Sequence, residues 1–92
     1  MRDIAVKSKV TGRVQGVAYR AWAQSRAAQL GLCGWVCNEI SGSVSVLVDG
    51  DRDAVAEFLS DLWEGPGAAS VLDVQSRPEV HNSALTGFTI LQ

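Results

Sequence analysis

What most limits the folds open to this chain is the order in which two hydrophobic periods follow one another along it. From Ile4 to Val10, apolar Ile4, Val6 and Val10 alternate with Lys7 and Lys9, the period of two that a strand with one buried face requires. From Tyr19 to Leu30 the period lengthens: Tyr19, Trp22, Ala23, Ala27 and Leu30 fall on one helical stripe, and Gly31 follows where a helix commonly stops. Leu32 to Asn38 and Ser43 to Val48 then read as two strands of an antiparallel hairpin, joined through Glu39, Ile40, Ser41 and Gly42. Val44, Val46 and Val48 face one way and Ser43 and Ser45 the other, so one face of this strand is expected to be wet.

Asp49-Gly50-Asp51 reads as a turn in which Asp51 caps a second helix, whose stripe is Ala54, Val55, Phe58, Leu59 and Leu62. Gly65-Pro66-Gly67 ends it. Ala69 to Ser76 and Gly87 to Leu91 are strand-like, separated by a polar loop from Arg77 to Ser83, and the odd spacing of Val71 and Val74 predicts a bulge near Leu72 and Asp73. The order is β-α-β-β-α-β with room for a short extra strand at the end. It predicts an α+β, ferredoxin-like (split β-α-β) sandwich: an antiparallel sheet of four to five strands with two helices on one face. With 92 residues, a single domain over 1–92 is expected. That architecture hosts enzymes and binding modules alike, so function has to be read from a site.

Charge removes some classes of function. The formal net charge is -2, and the eight Lys and Arg are scattered, so the basic footprint of a nucleic-acid binder is missing. Met1 to Val10 has the charge alternation of a strand rather than the apolar run of a signal peptide or membrane span. A cytoplasmic monomer without a membrane partner is the expectation. Cys33 and Cys37 lie on one strand, about 13 Å apart at the usual rise per residue, beyond the roughly 7 Å that a disulfide spans. Reduced thiols or pairing to another chain remain.

The chemistry-bearing segment is Gly12-Arg13-Val14-Gln15-Gly16-Val17-Ala18-Tyr19-Arg20, a loop with two glycines that delivers the chain to a helix N-terminus. Successive backbone N–H groups in such a turn form an anion nest, the helix dipole favours negative charge, and an arginine in the first helical turn can grip two phosphate oxygens. A nucleotide loop would need Gly-Lys-Ser/Thr, whereas Gly16 is followed by Val17 and Ala18. A thiolate phosphatase would need a cysteine between Gly12 and Tyr19, and there is none. With one His and two strand cysteines there is no recognisable metal-ligand spacing. The reading left is attack by water with neither metal nor cofactor.

Gly12-Arg13-Val14-Gln15-Gly16-Val17 with Arg20, then Leu30-Gly31-Leu32, Gly34-Trp35-Val36 with Asn38, and Gly42-Ser43-Val44, in that order and spacing, resemble the acylphosphatase family over nearly the whole chain. The resemblance implies a metal-free hydrolase of the carboxyl–phosphate bond of small acyl phosphates. It implies that Arg20 binds the substrate phosphate and Asn38 positions the attacking water, with backbone N–H groups of Gln15, Gly16, Val17, Ala18 and Tyr19 lining the phosphate cradle. The chain departs from the family pattern at Tyr19, where Phe is common, at Ser41, where Asp is common, and at Ser45, where Glu often stands. These touch packing, the hairpin turn and the next strand. The chemistry is coherent, because a carboxylate whose conjugate acid has a pKa near about 4 departs without a general acid.

Arg13 reads equally well as an exposed charge, and Trp22, Trp35 and Trp63 as core or sheet-face packing. His81 is expected to be exposed and without a role, and Tyr19 to be core with its hydroxyl at a polar edge. The second reading of the whole is a non-catalytic ferredoxin-like module that binds an anion or a partner. A third is a piece of a larger carbamoyl-handling maturation protein, against which the start Met and the lack of a linker weigh.

Overall fold

The computed structural model describes residues 3–92; Met1 and Arg2, the first two residues of the expected 1–92 domain, lie outside them. The elements are β1 (Asp3–Arg13), α1 (Tyr19–Gln29), β2 (Cys33–Asn38), β3 (Val44–Asp51), α2 (Arg52–Leu62), β4 (Ser70–Glu79) and β5 (Phe88–Ile90). They form one sheet in the order β4-β1-β3-β2-β5. The first four of these strands pair antiparallel, which is the ferredoxin-like arrangement expected, but β5 joins β2 in parallel with Gly34 opposite Phe88. The sheet is therefore mixed rather than wholly antiparallel. Parallel pairing needs the chain to return from the far end of the sheet, and periodicity in a short segment holds no information about that return.

Register decides which face is buried. Val10, Ser8 and Val6 stand opposite Val44, Val46 and Val48, and the three valines of β3 are 0–1% exposed beneath the helices. Ala23 and Ala27 of α1 and Val55, Phe58 and Leu62 of α2 complete the same core. Each large side chain buried this way contributes about 1.5–3 kcal/mol. The opposite face, with Lys7, Leu47 and Trp35 in one row, is only partly wet. Ser45, expected to face water, is 8% exposed because Lys9 and Cys37 flank it in register.

Several boundaries differ from the sequence expectation. Asp49-Gly50-Asp51 is strand, since it pairs with Ala5, Ile4 and Asp3, and β3 runs into α2 without a turn. Asp51 still caps α2, accepting from Asp53 N at 3.1 Å and Ala54 N at 3.2 Å. The polar segment Arg77 to Ser83 begins as strand, because Arg77, Pro78 and Glu79 pair with Lys7, Val6 and Ala5. The bulge falls where expected: Thr11 opposes Asp73 and Gly12 opposes Val71, leaving Leu72 as the extra residue. Gly12 and Arg13 thus belong to β1 rather than to a loop. A Cβ on Gly12 would lie 2.3 Å from the Ser70 carbonyl oxygen, so the bulge admits only glycine there.

Past α1, Gly31 N–H donates to the Ala28 carbonyl and Leu32 N–H to the Ala27 carbonyl, at 3.1 and 2.9 Å. That double bond pattern is a Schellman ending and turns the chain straight into β2. Trp22 packs partly against the core, but Trp63 is 51% exposed at the end of α2 and does not serve as core. Cys33 and Cys37 are both free thiols.

Candidate active site

Val14, 1% exposed, anchors the chain as it leaves β1. The loop then adopts left-handed backbone at Gly16 (φ 73°) and at Ala18 (φ 64°), the one non-glycine with positive φ among the described residues. Left-handed backbone costs an alanine about 1–2 kcal/mol, and such strain persists only where the surroundings enforce it. Its effect is visible in the hydrogen bonding. None of the N–H groups from Gln15 to Ala21 meets an acceptor among the described residues, and helical bonding starts with Trp22 N–H on the Ala18 carbonyl at 3.0 Å. α1 has no side-chain N-cap and no acid in its first turn, so its positive end is not neutralised from within.

Arg20 and Asn38 share one small cleft with this loop. The cleft has a volume of 220 Å³; Gly16, Ala18, Arg20 and Asn38 bound it, with Val14 and Ile90 as apolar wall. Arg20 makes no ion pair among the described residues, whereas Arg26, two turns on, is held by Glu57 and by Asp61 at 2.6 Å. The Asp61 carboxylate, then Glu57, raise the pKa of Arg26 further above its ordinary value. Asn38 ends β2 with its N–H donating to the Gln92 carbonyl at 2.7 Å. Its side-chain Oδ1 is buried without a hydrogen-bond donor among the described residues, an arrangement rare enough to require a reason.

The other expected cradle residues divide. Gly16, Ala18 and Tyr19 line the cleft. The Gln15 side chain points elsewhere, its Nε2 donating to the Glu39 and Ser43 carbonyls at 2.8 and 2.9 Å, and Val17 packs against the core; neither lines the cleft, and only their backbone N–H groups could serve the expected cradle. Tyr19 is 1% exposed, and its hydroxyl donates to the Leu62 carbonyl at 2.6 Å. Burial raises its pKa well above the ordinary tyrosine value. The polar group that the hydroxyl reaches is the backbone at the end of α2, inside the core.

Two further features lie away from the cleft. A larger hollow of 440 Å³ on the open face of the sheet gathers Lys7, Lys9 and Arg77, but these residues belong to the paired strands β1 and β4 rather than to a loop with free N–H groups. At the far end of the sheet, Asp3, Asp49 and His81 bring ligand atoms within 4.8 Å of one another, a proximity that sequence spacing did not reveal. Asp49 is buried, and its two oxygens are already engaged, by His81 Nδ1 at 2.6 Å and by Asn82 N–H at 2.9 Å. Hydrogen bonding accounts for the Asp49–His81 contact, and His81, expected to be idle, pins the segment before β5 to the sheet.

Fold and cleft together define a ferredoxin-like domain whose β1–α1 junction presents backbone N–H groups without acceptors among the described residues, beside Arg20 and Asn38. The acylphosphatase family model matches residues 6–90. An acylphosphatase of Rhizobium meliloti (strain 1021) is 48% identical over 82 residues, 89% of this chain and 86% of that protein. Among solved structures, the acylphosphatase of Bacillus subtilis superposes with a TM-score of 0.92 at 29% identity, over 97% of this chain and 99% of that one. The acylphosphatase of Coxiella burnetii gives 0.91 at 33%, over 96% and 92%. The chain belongs to the acylphosphatase family.

Proposed function

We propose that this protein hydrolyses the carboxyl–phosphate bond of small acyl phosphates by in-line attack of water, with Arg20 and Asn38 as its catalytic side chains. The backbone N–H groups of the Gln15–Tyr19 turn and the Arg20 guanidinium take the phosphoryl oxygens, where charge is spread in the transition state. Water donates a hydrogen bond to Asn38 Oδ1 and attacks phosphorus. The bond from phosphorus to the acyl oxygen breaks, the carboxylate leaves with the electron pair, and the water proton passes to a phosphate oxygen. A carboxylate is stable at neutral pH, so no general acid is required. The work is positioning and charge stabilisation, which a rigid nest and a fixed guanidinium supply.

The observation that carries this reading is the buried, donorless Asn38 Oδ1 beside a cleft it shares with Arg20. Release of phosphate from benzoyl phosphate, measured with and without chelator, tests it. Turnover indifferent to chelator is expected, and Arg20→Ala should lower kcat/KM by about 10²–10³-fold, the usual effect of removing one transition-state donor. Full-speed hydrolysis by folded Arg20→Ala would refute the assignment. Phosphate binding without hydrolysis by the wild type would make the domain a binding module instead.

A further inference from the structure

We infer that the Gln15 side chain is a positioning residue, which clamps the cradle loop to the β2–β3 turn and so sets the distance between the phosphate site and Asn38. The two halves of the site arrive on different elements. Arg20 and the N–H nest come from the β1–α1 loop, while Asn38 comes from the end of β2, immediately before Glu39. Covalent continuity does not fix their separation, since 17 residues of helix and strand intervene between Arg20 and Asn38.

Gln15 supplies a direct link. One hydrogen of its Nε2 goes to the Glu39 carbonyl and the other to the Ser43 carbonyl, at 2.8 and 2.9 Å. These carbonyls stand at the two ends of the hairpin turn, which is itself closed by Glu39 N–H on the Ser43 carbonyl and Gly42 N–H on the Glu39 carbonyl. Each carbonyl has two lone pairs and can accept both bonds. Of the two ends of the amide, only the NH₂ meets this geometry, since the oxygen in its place would face two carbonyl oxygens. The clamp therefore grips the turn at its neck, one residue beyond Asn38, while its own backbone N–H belongs to the nest. An in-line reaction is sensitive to such spacing, because a displacement of about 1 Å between reacting groups can cost 10²-fold in rate.

This inference rests on the proposed roles of Arg20 and Asn38, and the experiment separates the two. Gln15→Met keeps length and removes both donors. It is expected to lower kcat by about ten- to a hundredfold, with the inhibition constant for inorganic phosphate unchanged within about twofold, since the nest and Arg20 remain. In an Asn38→Ala background the same change should cost less than about twofold more, as residues acting through one another are not additive. Gln15→Glu adds a pH signature that a purely structural role would not give. Its carboxylate cannot donate, but below the ordinary glutamate pKa of about 4.3 the protonated acid regains one donor. Its rate relative to wild type should then rise as pH falls toward 4. Unchanged kcat in Gln15→Met, full additivity with Asn38→Ala, or a flat Gln15→Glu ratio would overturn the clamp. A wild-type rate in Asn38→Ala alone would instead overturn the role of Asn38 on which the clamp depends.

Discussion

Replacing Tyr19 by phenylalanine isolates a single buried hydrogen bond that joins the start of α1 to the end of α2. The ring is 1% exposed, and its hydroxyl donates to the Leu62 carbonyl at 2.6 Å; no other donor reaches that carbonyl through the loop and cap bonds around it. Phenylalanine keeps the ring contacts with Trp22, 5.3 Å away between centroids, and leaves the carbonyl unsatisfied. A buried acceptor deprived of its donor costs about 1–3 kcal/mol. For a domain of this size, each kcal/mol lowers Tm by about 4–8 °C. The variant should therefore melt roughly 5–20 °C lower, and its urea midpoint should fall without a change in slope.

The pH dependence has a definite sign. Burial raises the pKa of Tyr19 in the folded state, so the folded protein retains a proton that the unfolded chain releases near the ordinary value of about 10. This contribution is complete below pH 10 and declines as pH rises above it toward the folded-state pKa, because the unfolded state then binds fewer protons than the native one. The chain has one tyrosine, so near-ultraviolet tyrosinate absorption reports this group alone. Wild type should lose stability between pH 9 and 11 more steeply than Tyr19→Phe, in which the component is absent; lysines titrate in both and cancel in the difference. Equal urea midpoints at pH 7, or equal alkaline slopes, would refute the reasoning.

Other perturbations test the backbone devices that shape the site. Gly12→Ala places a Cβ 2.3 Å from the Ser70 carbonyl and 2.7 Å from the Leu72 nitrogen, both backbone atoms that cannot swing aside, and should destabilise by about 3 kcal/mol or more in urea unfolding. Ala18→Gly relieves left-handed strain of about 1–2 kcal/mol against an unfolded-state entropy cost of about 0.4–1 kcal/mol, so thermal unfolding should show a gain between about 0 and 1.6 kcal/mol. Asp51→Ala removes both side-chain cap bonds of α2 and should cost about 1 kcal/mol by the same measurement.

The periods of two and 3.6, the Asp51 cap, the Gly31 stop and the bulge at Leu72 were all legible in the chain, because each is set by residues within a turn or two of one another. The turn after β1 was legible too, because Gly16 and the neighbouring Arg20 are close in sequence, although Gly12 and Arg13 proved to be strand. The run of Asp49 to Asp51 into β3 was not, since the partners that hold it extended, Asp3 to Ala5, are more than forty residues away. The same holds for the parallel addition of β5 and for the Asp49–His81 pair, both long-range and both invisible to local pattern.

The candidate site divides along the same line. Sequence by itself determined the chemical types at Arg20 and Asn38, the backbone freedom of the cradle, and the absence of a nucleotide or thiolate motif, as these are properties of residues and short spacings. Tertiary structure alone decided that the two side chains share a cleft, that Gln15 turns its amide to the hairpin, and that the Asn38 oxygen is buried without a donor among the described residues. The reason is that separation between groups on different elements, and the loss of water around them, are fixed by the register of β1 on β3 and β3 on β2 and by the packing of α1 over the sheet, not by any local stretch of chain.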